Sequence, residues 1–527
     1  MLRKRLKSIS PEILRAAFLL FGFALVSLMS SCASKPPVGQ PVVPSPTPAP
    51  LTPEDLMART LVISNDGKHF AYVTMKDKKM SVVWDGKEQK PYDSILEGTP
   101  IFSLDGKTIV YSALRDGKWF VVVNDKESAP YDAVGAGTLR VGPDGKRLAF
   151  TAMKDKKVFV VIDGKEEKSY TAIGKGFPVL SRDGKHYAYL ALENGKVKLV
   201  IDGKEGKEYS EIISIIFSPD FKDYAYVVKN GDKYFVVHNG KESKEYNSML
   251  AGMPVFSRDG KKIAYGVMED GKWLMIINGK EEKKYSALGA GSFTFNKDGS
   301  RYAYAANNGD KWLTVVDGRE QASYDLIGGI TFSPGGNRLA YWGQKAGKRH
   351  LVVDGKEGKG YEGFGENSIV FSSDEKTVAC AAKTKDMWMV LANDKEGQQY
   401  PSVGAVAFSP DGKRLSYIVS KGAKKAVVVD GKESAPYDLV LPPVFSPDSK
   451  HYIFSAMDKN LWKIVIDGKE EKETYTMLIL SPATSEVFDS ADTFHFIGIN
   501  GLDVKRVEKK IKKTKPAGAK ETVDKIR

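Results

Sequence analysis

The sequence predicts an all-β protein, a β-propeller of about twelve four-stranded blades. Three observations carry this prediction. A unit of 37 or 39 residues recurs along the chain, two turn motifs recur within the unit, and short apolar runs rich in Val, Ile, Tyr and Phe separate the turns. The 50 Gly, 24 Tyr and 24 Phe among the 527 residues agree with many turns and many strands.

The motif Asp-Gly-Lys-Glu, or a close variant, sets the frame of the repeat. Successive copies are 39, 39, 39, 37, 39, 39, 37, 39, 37 and 37 residues apart. A Tyr follows seven residues after the motif begins in ten copies, and eight residues after in the last, at Tyr475. The motif begins at Asp85, Asn124, Asp163, Asp202, Asn239, Asn278, Asp317, Asp354, Asn393, Asp430 and Asp467.

A second motif, Ser-x-Asp-Gly-Lys, recurs in step with the first. One carboxylate followed by a Lys falls short of the six to eight oxygens that calcium requires, so we expect the Asp to hydrogen-bond its own turn. Gly335 takes the Asp place in the eighth copy, and a worn twelfth copy ends near Val507. The Asp residues are Asp66, Asp105, Asp144, Asp183, Asp220, Asp259, Asp298, Asp374, Asp411 and Asp448.

Each unit is predicted to form four short strands, because Asp-Gly and Asn-Gly favour the positive φ angles of tight hairpins. One such sheet cannot bury both faces, whereas radial stacking buries each sheet against two neighbours. Twelve blades exceed the usual ~4–8 of one propeller, so we expect two six-bladed propellers in tandem, residues 56–290 and 291–507. One large ring or an uneven split is the alternative. Residues 54–58 are a candidate for the missing fourth strand of the last blade.

The repeat resembles a known family. Residues 408–417 read Phe-Ser-Pro-Asp-Gly-Lys-Arg-Leu-Ser-Tyr, which is similar to the WD40-like propeller repeat of the periplasmic TolB-like family. The resemblance covers residues ~60 to ~507 and implies the propeller fold, but says almost nothing about function. TolB-like proteins carry an α/β domain before the propeller, whereas this chain has a Pro-rich segment there, so it is not expected to be TolB itself.

The N-terminus is predicted to be a signal peptide, residues 1–31. Basic residues precede an uncharged apolar stretch, residues 16–29, which is short for a membrane span. Residues 28–32 read Leu-Met-Ser-Ser-Cys and resemble the lipobox of bacterial lipoproteins, which implies lipidation of Cys32. A short membrane anchor with an incidental Cys is the alternative. Residues 32–55 form a Pro-rich linker, and Ala33 implies the outer membrane, facing the periplasm, if the cell is Gram-negative.

The chain lacks the usual signatures of catalysis. No Gly-x-Ser-x-Gly, His-Glu-x-x-His or Cys-x-x-Cys motif occurs, and no cofactor or metal ion is expected. His69, His186 and His451 share one repeat position and would lie in different blades. Cys380 falls where other copies carry Tyr or Phe and is expected in the core. Recurring Trp residues are expected to pack between blades: Trp119, Trp273, Trp312, Trp388 and, near that position, Trp462.

The predicted function is that of a non-catalytic, protein-binding scaffold at the bacterial cell envelope. Its partner would be an envelope protein or a cell-wall component, and the variable loops after each Tyr are the candidate ligand surface. Basic and acidic residues are interspersed despite a net charge of +13, which disfavours a nucleic-acid groove. An envelope glycan- or peptide-processing enzyme and a structural spacer are alternatives. Residues 508–527 form a basic tail that is expected to be solvated, or to contact anionic lipid or cell-wall polymer.

Overall fold

The computed structural model describes residues 52–479 and 487–511, which form twelve small antiparallel sheets in chain order, here called blades 1 to 12. Blades 1 to 11 have four strands in sequential order, and blade 12 has three. Every blade is therefore built from one contiguous repeat. Within the described residues, no helix has the length and apolar character that crossing a membrane requires.

The second and third strands are the long strands of each blade. The second strands are Phe70–Lys76, Ile109–Arg115, Leu148–Lys154, Tyr187–Glu193, Tyr224–Asn230, Ile263–Glu269, Tyr302–Asn307, Leu339–Lys345, Val378–Thr384, Leu415–Lys421, Tyr452–Asp458 and Thr493–Asn500. The third strands are Lys79–Trp84, Lys118–Val123, Lys157–Ile162, Lys196–Ile201, Lys233–His238, Lys272–Ile277, Trp312–Val316, Lys348–Val353, Met387–Ala392, Lys424–Val429, Leu461–Ile466 and Asp503–Lys510.

The fourth strands form one edge of each sheet and begin in the Asp-Gly-Lys-Glu turn. They are Lys87–Glu88, Lys126–Glu127, Lys165–Tyr170, Lys204–Tyr209, Lys241–Glu242, Lys280–Glu281, Arg319–Tyr324, Lys356–Tyr361, Lys395–Glu396, Lys432–Glu433 and Lys469–Glu470. Where only two residues pair regularly, the Tyr that follows returns to the third strand as an isolated bridge, as Tyr92 does to Met80.

The first strands form the other edge, and their form explains the two repeat lengths. Seven blades split the first strand into two segments that pair with the same second strand: Ser94–Ile95 with Ile101–Phe102, Ala133–Val134 with Arg140–Val141, Ala172–Ile173 with Val179–Leu180, Ser248–Met249 with Val255–Phe256, Ala287–Leu288 with Thr294–Phe295, Gly363–Phe364 with Val370–Phe371, and Leu439–Val440 with Val444–Phe445. The first strand is a single segment at Val62–Ile63, Glu211–Phe217, Leu326–Phe332, Val403–Phe408 and Met477–Ile479. The 37-residue steps contain either an unsplit strand or the shorter interruption of blade 11.

The hydrophobic core is a chain of clusters, each shared by neighbouring blades, and it closes into one ring. Leu274 and Tyr285 of blade 6 pack with Tyr304 and Leu313 of blade 7 in one cluster. A further cluster joins Phe70 of blade 1 to blade 12. Two six-bladed rings would instead pair blade 6 with blade 1. The structure therefore shows one twelve-bladed ring, which was the alternative prediction. It does not show the tandem arrangement of two six-bladed propellers.

Residues 54–58 do not form the fourth strand of the last blade, so the expectation for them is wrong. These residues lie in the helix Pro53–Thr60, whose N-terminus is fixed by a capping box between Thr52 and Asp55. The Thr60 hydroxyl accepts a hydrogen bond from the Val73 amide at 2.8 Å. The helix thus lies along the second strand of blade 1. Met57 of the helix belongs to a cluster with Ile499 and Val504, which flank the turn between the second and third strands of blade 12, so the helix lies toward that end of the ring.

The Asp of Ser-x-Asp-Gly-Lys does hydrogen-bond its own turn, as predicted. In blade 1 the Ser64 hydroxyl donates to Asp66 Oδ1 at 2.5 Å, and the Lys68 amide donates to the same oxygen at 3.1 Å. In blade 8, where Gly335 replaces the Asp, Glu375 of blade 9 supplies the missing carboxylate. It accepts from the Ser333 hydroxyl at 2.6 Å and from the Gly335 amide.

Candidate functional site

The first strands of neighbouring blades approach one another and line the central channel of the ring. Arg140 of blade 3, for example, donates from Nη2 to the Gly176 carbonyl of blade 4 at 3.0 Å. Each first strand pairs on one side only, with its second strand, so its other edge faces the channel. Sheets packed ~10 Å apart around twelve positions leave a channel about 20 Å wide between facing first strands.

The loops after each Tyr, the predicted ligand surface, are part of these first strands. Seven of them interrupt the strand and return to it, and six of these seven are five residues long. We call the six longer ones the inner loops, residues 96–100, 135–139, 174–178, 250–254, 289–293 and 365–369. Their tips are exposed at Glu97, Ala136, Lys175, Ala251, Ala290 and Glu366. The predicted surface therefore borders the channel and is not a set of free loops on one face.

A hydroxyl group holds the inner loop in four of these blades. Thr138 Oγ1 donates to the Gly135 carbonyl at 2.8 Å and accepts from the Thr151 amide of the second strand at 3.1 Å. Ser292 makes the equivalent pair of bonds in blade 7, at 2.6 and 3.0 Å. Thr99 and Ser368 occupy the same position in blades 2 and 9. These loops are thus fixed to the blade before any ligand arrives.

The channel lining carries little charge. The first strands and inner loops together contain five charged residues, although 28% of the whole chain is charged. Apolar side chains are exposed on unsplit first strands, Ile213 at 50% and Leu326 at 45%. The charged residues of the lining are Glu97, Arg140, Lys175, Glu211 and Glu366.

The outer edges of neighbouring blades are joined by the two residues that mark the repeat, the Tyr and the Glu of the next Asp-Gly-Lys-Glu turn. The Tyr170 hydroxyl donates to Glu205 at 2.8 Å, and Lys168 pairs with the same carboxylate at 2.6 Å. We call this the Tyr–Glu latch. The same hydroxyl bond, at 2.8 to 3.0 Å, joins Tyr92 to Glu127, Tyr209 to Glu242, Tyr324 to Glu357, Tyr361 to Glu396, Tyr400 to Glu433 and Tyr437 to Glu470.

The Tyr–Glu latch keeps its carboxylates charged. Hydrogen bonds from Arg115, and then from Lys90 and Tyr92, lower the pKa of Glu127 to about 2 against the opposing effect of burial. Burial and the bond to Glu205 raise the pKa of Tyr170 to about 12. The pair is therefore an ionised acceptor and a neutral donor throughout the neutral range, which strengthens the hydrogen bond between blades.

One end of the ring carries both turn motifs, and we call this end the turn face. The residue after the first turn, Ser-x-Asp-Gly-Lys, lies beside the second turn, Asp-Gly-Lys-Glu, of the same blade. His69, His186 and His451 each lie 2.6 to 2.7 Å from an Asp carboxylate through Nδ1. In the other blades whose second turn opens with Asp, an Arg stands in place of the His, as Arg414 does with Asp430 at 2.8 Å. Blades whose second turn opens with Asn carry Thr, Asp or Lys at the position of the His.

These histidines do not converge, since each pairs with an Asp of its own blade. Among the described residues, no group of three or more His, Cys, Asp or Glu side chains is placed to hold a metal ion. The acids of the channel lining, Glu97, Glu211 and Glu366, belong to blades 2, 5 and 9.

The remaining predicted positions are structural where the structure describes them. Cys380 is fully buried with a free thiol, as expected of a core residue. Trp119, Trp273, Trp388 and Trp462 are half-buried and pack against clusters shared by neighbouring blades, as predicted. Trp312 is half-buried at the start of the third strand of blade 7 and belongs to none of the described clusters. Cys32, the signal peptide, most of the Pro-rich linker and the basic tail from residue 512 lie outside the described residues.

Comparisons with known proteins give matches to solved structures. No protein-family model and no curated protein matches the chain. Among solved structures, a eukaryotic initiation factor is 13% identical, with 70% of this chain and 96% of that chain covered, at a TM-score of 0.34. The β-propeller domain of the Trilobed protease from Pyrococcus furiosus is 16% identical, covering 50% and 94%, at a TM-score of 0.24.

TolB from Acinetobacter baumannii is also among the similar structures. It is 18% identical, with 46% of this chain and 61% of that chain covered, at a TM-score of 0.20. These likenesses concern the β-propeller fold alone.

Proposed function

We propose that the protein is a non-catalytic scaffold that holds a protein partner in the channel of its twelve-bladed ring. The observation that carries the proposal is the channel lining, which combines unpaired strand edges, fixed inner loops and very few charges. Unpaired edges offer backbone donors and acceptors to an extended segment of a partner, and loops of differing sequence supply its specificity.

The width of the channel supports a protein rather than a small molecule. A channel about 20 Å across admits a strand or helix with side chains, since a helix is about 10–12 Å in diameter. Small ligands need an enclosed pocket with convergent polar groups. The grooves found between blades are open and shallow, for example the one of about 290 Å³ that Tyr417 lines between blades 9 and 10.

Site-specific crosslinking tests the proposal. A photo-crosslinking residue at Ile213 or Ala290, both on the channel side, should capture a protein in cells. The same residue at Leu461, an exposed apolar position at the start of the third strand of blade 11, is the matched control. The captured protein should be lost when Ile213→Glu is combined with a crosslinker at Ala290. Equal capture at Leu461, or none at the channel positions, would contradict a partner in the channel.

The proposal also includes attachment to the cell envelope through Cys32 and membership of the TolB-like family. It rests on the lipobox-like residues 28–32 and on the repeat motif, which are independent of the channel. Labelled palmitate should be incorporated into the wild-type chain and into Cys380→Ala, and lost in Cys32→Ser. Mass spectrometry should find a mature N-terminus at a modified Cys32. An unmodified N-terminus, or retained residues 1–31, would rule out the lipid anchor.

A further inference from the structure

The turn face carries a ring of cations that the protein itself does not use. The third residue of each Asp-Gly-Lys-Glu turn is basic in all eleven copies and is exposed in each. None of these eleven described side chains forms an ion pair or a hydrogen bond in the structure. We call the set the cation ring: Lys87, Lys126, Lys165, Lys204, Lys241, Lys280, Arg319, Lys356, Lys395, Lys432 and Lys469.

The acids around the cation ring are occupied elsewhere. The Asp that opens a second turn accepts from a backbone amide, as Asp202 does from Tyr187 at 2.9 Å, and also meets His or Arg. The Glu after the ring cation joins the Tyr–Glu latch in most blades, as Glu205 does. Glu166 and Glu281 pair with lysines instead. The exceptions are Glu88, which joins no Tyr–Glu latch, and Asp125 and Asp394, which replace the turn Gly in blades 2 and 9. The outermost charges of this face are therefore mostly positive.

The opposite end of the ring has a different charge pattern. Its turns between second and third strands expose acids among the lysines, with Asp116 at 92%, Asp270 at 87% and Asp386 at 95% side-chain exposure. Several lysines there are paired, as Lys118 is with Asp132 at 2.6 Å. Unpaired lysines also occur at this end, but exposed acids of the same turns lie among them. The cation ring of the turn face has few such acids beside it.

We propose that the cation ring binds a linear polyanion whose phosphate or carboxylate groups repeat along the chain. Successive cations follow the blades, so a flexible polymer lying along the rim meets them one after another. Ten of the eleven are Lys, a compact point charge without the bidentate geometry of Arg, which suits a repeating charge more than one shaped group. Binding of this kind releases counterions and is therefore strongly salt-dependent.

A polymer is favoured over the membrane surface by where the chain enters the ring. Met57 of the helix Pro53–Thr60 belongs to a cluster with Ile499 and Val504, which flank a turn at the end opposite the turn face. If the chain is anchored through the preceding residues, as proposed above, the cation ring faces away from the membrane of attachment. The polymer would then be a component of the space beyond that membrane. The polyanion site itself stands without the anchor, because it rests on the charges of the turn face.

The test measures binding of fluorescent long-chain polyphosphate to the full folded chain at several salt concentrations. The test variant replaces Lys165, Lys204, Lys241 and Lys280 by Gln, in blades that keep Gly as the second residue of the turn. The control variant replaces Lys157, Lys233, Lys272 and Lys348 by Gln. These control lysines are exposed and without ion pairs at the opposite end, so both variants lose the same charge.

We expect the test variant to bind at least tenfold more weakly at low salt and with a shallower salt dependence, while the control variant stays within twofold of the wild type. Equal losses in both variants, or no loss in either, would overturn the proposal. Tighter binding to vesicles of phosphatidylglycerol and phosphatidylcholine than to polyphosphate would show that the cation ring binds a membrane surface and not a polymer, which would overturn the proposal.

A second readout separates this role from protection of the outer strand edges, a common use of exposed Lys. If edge protection is the sole role, the test variant aggregates in size-exclusion chromatography while its remaining monomer binds polyphosphate normally, and the proposal fails. Crosslinking from Ala290 should persist in the test variant, so the channel proposal and the polyanion proposal can fail separately.

Discussion

At the scale of single residues, the residue after the first turn and the first residue of the second turn change together from blade to blade. Every blade with Asp at the start of the second turn carries His or Arg after the first turn, and blades with Asn there carry Thr, Asp or Lys. In ten of the eleven blades the Asx side chain accepts from the equivalent backbone amide, so the backbone bond persists while the side-chain partner changes. The departure of Gly335 follows the same logic, because Glu375 of the next blade supplies its carboxylate.

The Arg414–Asp430 pair gives a direct test of this coupling. Arg414 also packs over Phe445 of the next blade, at 5.3 Å from the ring centre. Arg414→Thr should lower the free energy of unfolding by about 1–2 kcal/mol, through the lost ion pair and cation–π contact. Adding Asp430→Asn recreates the combination of blades 2 and 9. It should restore about 0.5–1 kcal/mol in a urea-denaturation cycle. Strictly additive losses would show that the two side chains are not coupled.

The Tyr–Glu latch predicts a loss of stability in acid. Because the folded-state pKa of Glu127 is lowered to about 2, its contribution is fully present above the unfolded value of about 4.3 and is lost as pH falls through about 2. Glu127→Gln should therefore lower the urea midpoint at pH 7, and the difference from the wild type should shrink from pH 5 downwards. Glu88, at the same place in blade 1, has no partner Tyr, so Glu88→Gln should leave the midpoint unchanged. A constant difference across pH would refute the linkage.

At the scale of the strand, the sequence predicted the hairpins well because they depend on local chemistry. Asp-Gly and Asn-Gly turns impose positive φ, as at Asp85 and Gly86, whatever the neighbouring blade does. The split of the first strand was not predicted, because the inner loops look like ordinary surface loops in sequence. The signal was present in the alternation of 39- and 37-residue steps. The helix Pro53–Thr60 was also missed, although Thr52, Pro53 and Asp55 form a recognisable helix start.

The inner loops are expected to depend on their single hydroxyl. Thr138→Ala removes a donor and an acceptor at once and should lower the free energy of unfolding by about 1–2 kcal/mol. Thr138→Ser should be close to neutral, because Ser292 and Ser368 make the same bonds in blades 7 and 9. Urea denaturation gives the stability, and hydrogen exchange at the Thr151 amide reports the loop itself. A Ser variant as unstable as the Ala variant would show that packing of the methyl group matters instead.

At the scale of the whole molecule, the sequence predicted the blades but not how many share one ring. Each copy carries the same apolar faces, so nothing in the residues of blade 6 distinguishes blade 7 from blade 1 as its neighbour. The number of blades in one ring depends on the small angle between successive blades, and many weak contacts together determine this angle. The channel lining could not be identified for the same reason, since it exists only once the ring is closed.

A fragment ending at residue 290 should distinguish one ring from two. In the single ring, truncation exposes Leu274 and Tyr285, which are buried against blade 7. We expect residues 52–290 to bind a hydrophobic dye and to aggregate, because an exposed blade face is a large apolar patch. A monomeric fragment with a sharp, cooperative unfolding transition would instead support a self-contained six-bladed propeller.

Each blade is one contiguous segment of the chain, so the gene can gain or lose whole blades. Many ring-shaped proteins share one sheet between their two termini, which ties the number of units to the ends of the chain. Here the described strands of blade 12 and blade 1 form separate sheets, and the two blades contact each other through side chains, including Lys68 with Asp489 at 3.8 Å. An unequal crossover between two copies of the repeat would therefore add or remove whole blades without cutting any sheet. The ring can grow or shrink by inheritance one unit at a time, with only the curvature left to adjust.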